Sequence, residues 1–237
     1  MSNKTDQIIR KLKELGDKDI ARHSQRFFKT GKGEYGEGDI FLGLRVPAIR
    51  ECVKTFKETS LDDTLHILKS PFHEARLLAV LMLVDKYSMV KTNNEKEEIY
   101  RAYLSNREFI NNWDLVDSSA HYIVGQHLFL KDRKQLYKLL RSASLWDRRI
   151  GIMSTFYFIK KDVFDDTLAI AKLLLEDTED LIHKAVGWML REVGNRDRTA
   201  EEKFLKKYYK VMPRTMLRYA IEKFPEKDRQ AYLKGIK

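Results

Sequence analysis

Trp113 and Asp117 stand four residues apart in the stretch Asn111-Asn112-Trp113-Asp114-Leu115-Val116-Asp117-Ser118-Ser119-Ala120-His121-Tyr122. On a helix that spacing puts both on one face, one turn above each other. An indole face attracts positive charge and a carboxylate neutralises it, so the pair is suited to grip a cation. The plain alternative is a core tryptophan with a polar residue at its rim, serving as a cap. The pair alone leaves both open.

Other chemically able residues recur at a fixed distance. Arg76, Asn112, Arg148 and Lys184 are each 36 residues apart, as are Ala79, Leu115, Gly151 and Gly187. Trp113 and Arg149 are equivalent by the same repeat, and Trp188 and Arg191 follow Lys184 by one and two turns. Such a period in a helical chain marks an α-solenoid of helix pairs of the HEAT or armadillo kind. Like-numbered helices then line one concave wall, so three neighbouring helices are expected to offer Trp113 and Asp117, then Arg148 or Arg149, then Trp188 and Arg191 with Lys184 one turn before, to one basic groove. Arginines bind phosphates bidentately, and a carboxylate stabilises positive charge developing at a sugar carbon. One carboxylate suffices when the leaving group is already cationic, as an N-alkylated purine is. Hydrolysis of an N-glycosidic bond is therefore one option for this set.

The elements that must position these residues are helices. Four Pro and eleven Gly in 237 residues interrupt an otherwise continuous 3.6-residue apolar period. The spacing predicts helices over 5–15 and 18–29, broken at Gly16-Asp17. It also predicts 72–87, 112–127, 145–159 and 181–193 as the inner row, with 131–142 and 165–175 as outer partners, then 200–209 and 213–224. Pro47 is expected to open a helix. Four of the glycines fall in Gly31-Lys32-Gly33-Glu34-Tyr35-Gly36-Glu37-Gly38. Its spacing does not match a Walker phosphate loop. A long ordered connector and a backbone surface for a ligand both remain open for it. Nothing marks a second domain, so a single all-α domain over 1–237 is expected.

Composition bounds the partners. The net charge is +10, and from Arg198 to Lys237 there are twelve Lys/Arg against five Asp/Glu. That surplus suits a polyanion. The stretch Met1-Ser2-Asn3-Lys4-Thr5-Asp6 lacks the apolar core of a secretory signal, and no run is apolar enough to span a membrane. One cysteine, Cys52, rules out an internal disulfide and reads as a buried, inert thiol. The expectation is a cytoplasmic protein with no membrane partner. The six histidines show no metal spacing, so neither metal nor cofactor is expected. His73 and Glu74 read as structural, capping or packing against Arg76. Ser118 and Ser119 form no activated nucleophile.

The chain resembles the AlkD-like family of bacterial DNA alkylation-repair glycosylases. The resemblance is carried by Gly31–Asp39 with Phe41–Pro47, by His73-Glu74-Ala75-Arg76-Leu77-Leu78-Ala79 and by Asn112-Trp113-Asp114-Leu115-Val116-Asp117. It continues in Leu145-Trp146-Asp147-Arg148-Arg149-Ile150 and in His183–Glu192, in that order along nearly the whole chain. It implies HEAT-like repeats and excision of positively charged N3- and N7-alkylated purines from double-stranded DNA, without flipping the base into a deep pocket. It places the catalytic aspartate at Asp117, the cleft tryptophans at Trp113 and Trp188, and a phosphate-gripping arginine at Arg149, with Arg148 as the neighbouring alternative. Arg191 and Lys184 join the substrate-binding set. An aromatic at Phe27-Phe28 stands where some members have tyrosine, so Phe27 contacts substrate without a hydroxyl. A monomer is expected, and lyase chemistry is not. The competing expectation is a non-catalytic HEAT-repeat protein that binds DNA structure or a protein partner.

Overall fold

Several helices begin where the sequence supplies a cap, at Asp17, Ser60, Thr92, Asn112 and Asp197. Asp17 ends the break after α1 (Asn3–Leu15) by accepting from the amides of Asp19 and Ile20, both at 2.9 Å, and so starts α2 (Lys18–Phe27). The computed structural model describes residues 3–237; Met1 and Ser2 of the amino-terminal stretch lie outside the described residues. After the glycine-rich connector come α3 (Val46–Thr55), α4 (Leu61–Leu68), α5 (His73–Met89), α6 (Asn93–Ser105) and the short α7 (Trp113–Asp117). A π-helical turn, His121–Gly125, precedes α8 (Gln126–Leu128), α9 (Lys134–Leu139), α10 (Leu145–Ile159), α11 (Asp165–Leu173) and α12 (Asp180–Gly194). The chain ends through α13 (Arg198–Tyr208), α14 (Arg214–Ala220) and α15 (Glu226–Leu233). The fold is all-α and solenoid-like in its pairing of helices, and no described helix is long and apolar enough to cross a membrane.

These helices fall into two compact units, one ending at Ser119 and the other beginning at Ala120. In the first, α5 is the central element and packs on α3, α4, α6 and α7. Its residues from His73 to Leu83 are all buried, polar ones included. In the second, α10, α12 and α14 pack in succession, with α9 and α11 beside them. Gly187 lets α12 approach α14 closely, because a Cβ there would lie 2.4 Å from the Met216 carbonyl.

Two sequence expectations need correction, and three helices were not foreseen. Residues 112–127 do not form one helix. The Ser118 hydroxyl bonds the Asp114 carbonyl (2.7 Å) and Ser119 bonds that of Leu115 (2.6 Å), drawing the backbone into a turn after Asp117. Serines that bond back along a helix weaken its continuation, and the chain resumes as the π-helical turn. Pro47 is the second residue of α3, since Val46 already has helical backbone. The helices α4, α6 and α15 carried no expectation, although Thr92 and Glu95 form a capping box that announces α6.

Candidate active site

In the first unit, Asn112 caps α7 through its carbonyl, which accepts from the Trp113 amide at 2.8 Å. The five residues of α7 hold Trp113 and Asp117 one turn apart, both half-buried, while Leu115 and Val116 anchor the opposite side in the core. Trp113 is not itself core. One face of its indole stacks on Phe28, with centroids 5.2 Å apart and planes 14° apart. Phe27, exposed at 59%, presents its ring to the indole at 6.0 Å. Asp117 lies near the buried Tyr103, whose hydroxyl bonds Ser119 at 2.8 Å. Burial pushes the Tyr103 phenol well up, and the Asp117 charge adds to the shift.

Behind the indole lies a charged cluster that the sequence did not foretell. His73, at the start of α5, bonds Asp39 through Nδ1 (3.0 Å) and Asp114 through Nε2 (2.8 Å). Asp39 also accepts from Arg76 at 2.5 Å and from the Asn112 amide at 3.2 Å. Burial pushes the Asp39 carboxyl up, but the bond from His73 and the Arg76 charge hold it below the usual carboxylate range. The His73 ring is flanked by Phe41 (4.5 Å) and by Phe28 (4.9 Å). Glu74 turns the other way: its carboxylate accepts from the amides of Leu42 (2.9 Å), Gly43 (2.7 Å) and Leu44 (3.2 Å). The connector is thus pinned at its carboxyl end. Gly43, at φ +87°, is required there because a Cβ would lie 1.9 Å from the Asp17 carbonyl. His73 and Glu74 are structural, as expected. Their partners are the connector and α7, while Arg76 pairs with Asp39.

In the second unit, Trp188 is half-buried on α12, donating from Nε1 to Glu192 at 3.0 Å and lying 6.0 Å from Phe156 of α10. Lys160 caps this row, 4.3 Å over the Phe156 ring. The cations are partly engaged with their own chain. Arg148 pairs with Asp177 through Nε (2.6 Å) and Nη2 (3.3 Å), and its Nη1 donates to the Ser142 (3.0 Å) and Ala143 (2.9 Å) carbonyls. Arg149 is buried, with Nη1 on the Leu181 carbonyl. Arg191 pairs with Glu222. Lys184 pairs with Asp180 at 2.8 Å, and with 39% of its side chain exposed it is the most accessible of the four. Among the described residues no three His, Cys, Asp or Glu gather as metal ligands would.

A sequence-family model described as DNA alkylation repair enzyme matches residues 8–224. Among solved structures, a predicted DNA alkylation repair enzyme from Enterococcus faecalis is similar at a TM-score of 0.68 and 15% identity, over 90% of this chain and 98% of that one. No curated protein matches the sequence.

Proposed function

The chain belongs to the DNA alkylation repair enzyme family, and on that premise we propose that it hydrolyses the N-glycosidic bond of positively charged N3- and N7-alkylated purines in duplex DNA. The single observation that carries this reading is the pairing on α7 of a half-buried indole with a half-buried carboxylate one turn away. Cationic leaving groups need no general acid. What the reaction needs is stabilisation of the oxocarbenium-like sugar and a water held for attack, and one carboxylate can do both.

In this account Trp113 contacts the alkylated nucleotide, Asp117 stabilises the sugar cation and orients the water, and Trp188, in the second unit, contacts the DNA. Stacking of Phe28 on one indole face leaves Trp113 a fixed platform, and cation–π attraction there is worth up to ~2 kcal/mol when desolvated. The exposed Phe27 packs against the sugar edge beside it. Lys184, Arg191, Arg148 and Arg149 hold the backbone, Lys184 most readily because its side chain is the most exposed of the four. Arg148 reaches a phosphate only by giving up Asp177, which lowers its net contribution to affinity. The protein acts as a single domain and a monomer, without cofactor.

The test is release of N7-methylguanine and N3-methyladenine from methylated duplex DNA, measured beside duplex affinity over a salt series. Base release with affinity falling steeply in salt, about 0.9 log unit per neutralised phosphate per tenfold salt, supports the reading. Salt-sensitive binding without release would leave a non-catalytic DNA binder. A flat salt response would remove DNA from the account.

A further inference from the structure

Both ring nitrogens of His73 face carboxylate oxygens, Asp39 at 3.0 Å and Asp114 at 2.8 Å. An ionised carboxylate only accepts, so both nitrogens must donate and the ring is an imidazolium. It is buried to 1% exposure and packs against the rings of both Phe41 and Phe28, contacts that favour a cation. The two aspartates come from different places: Asp39 closes the glycine-rich connector, and Asp114 is the second residue of α7. The charged groups facing His73 are these two and Arg76, a turn further along α5 and itself paired with Asp39, while Glu74 points to the connector amides. His73 therefore meets the Trp113 platform twice, through Asp114 beside it in the chain and through Phe28 stacked behind it.

We infer that His73 is a positioning residue, a charged clamp that fixes the pitch of α7 and with it the placing of Trp113 and Asp117 for reaction. The inference rests on the reading of Asp117 and Trp113 given above. It explains why an ion cluster is packed behind the platform. Loss of the ring proton leaves one aspartate facing a lone pair and removes the positive charge that holds both, which loosens the tie between α7 and the start of α5. Burial pushes the imidazolium toward neutrality, but the bonds to Asp114 and Asp39 prevail and push its pKa up to about 9. Proper placement should therefore persist through neutral pH and fail above it.

The experiment uses the full chain. Resonances of the His73 ring and of the carbon-bound Trp113 ring protons are followed by NMR from pH 6.5 to 10. Single-turnover excision and duplex Kd are measured over the same range, wherever circular dichroism shows a folded protein, for wild type and His73→Gln. The expected result is a common midpoint near 9 for His73, Trp113 and the wild-type excision rate. His73→Gln should lower the rate at pH 7.5 by about 10²-fold, as expected for a misplaced reacting group, with Kd within about threefold and the step near 9 gone. A variant with the wild-type rate, or with the high-pH step intact, overturns the clamp. If wild type excises nothing, the glycosylase reading fails separately. The clamp is then judged by NMR alone: Trp113 shifts that track His73 uphold it, and Trp113 shifts that ignore His73 overturn it. The same NMR criterion applies if His73→Gln does not fold.

Discussion

Glu201 on α13 is 1% exposed, and its Oε1 finds no hydrogen-bond partner. It packs against Gly194 at the end of α12, where an added Cβ would lie 1.7 Å from the Glu201 carboxyl. Burial pushes its pKa up from 4.5 to about 8, with Arg198 opposing only in part. Below 4.5 the carboxyl is protonated folded or unfolded and stability does not depend on it. As pH rises the unfolded chain releases the proton while the folded one keeps it, so stability falls until the folded group also ionises near 8. Each unit costs about 1.4 kcal/mol, which accumulates to about 3 kcal/mol by pH 7. Glu201→Gln removes the titration and keeps the shape. Any fixed penalty from burying its amide protons does not vary with pH. Urea unfolding of both proteins from pH 5 to 8.5 should show the variant gaining on wild type by about 1 kcal/mol or more per unit, then levelling. A difference independent of pH, or one of opposite slope, would refute the reasoning.

Other substitutions follow from the same contacts. Glu74→Ala leaves three amides of the connector without their acceptor and should cost roughly 3 kcal/mol or more in urea unfolding. Phe27→Ala should leave stability within about 0.5 kcal/mol, because the ring is 59% exposed, yet raise the Kd for duplex DNA about tenfold in a titration at fixed salt. Lys184→Ala should weaken binding uniformly across sequences and reduce the slope of log affinity against log salt by about 0.9.

Much of the fold was legible because helices announce themselves locally. The predicted helix over 145–159 matches α10, and 181–193 lies within α12. Apolar period and flanking polar residues suffice for such elements. The break after Asp117 was not legible, because it depends on serine hydroxyls choosing backbone carbonyls over solvent, and Ser119 is committed only once Tyr103 lies against it. The pair Trp113 and Asp117 was legible from spacing, and its half-burial agrees with a role between core and solvent. The Asp39–His73–Asp114 cluster was not. Its members are 34 and 41 residues apart, and no periodicity relates a connector to the starts of two helices. The signal lay in the letters alone, an acid, a histidine and an acid in three of the motif segments. The commitment of Arg148 to Asp177 was likewise hidden, since a guanidinium reads the same in sequence whether it faces a phosphate or a neighbouring carboxylate.

The central claim is that one carboxylate on α7 performs the chemistry, and Asp117→Asn tests it most directly. The amide keeps the shape and removes the charge. Single-turnover release of N7-methylguanine and N3-methyladenine from methylated duplex should fall by about 10²-fold or more, with duplex Kd close to wild type. Release at the wild-type rate by a folded Asp117→Asn protein would contradict the account.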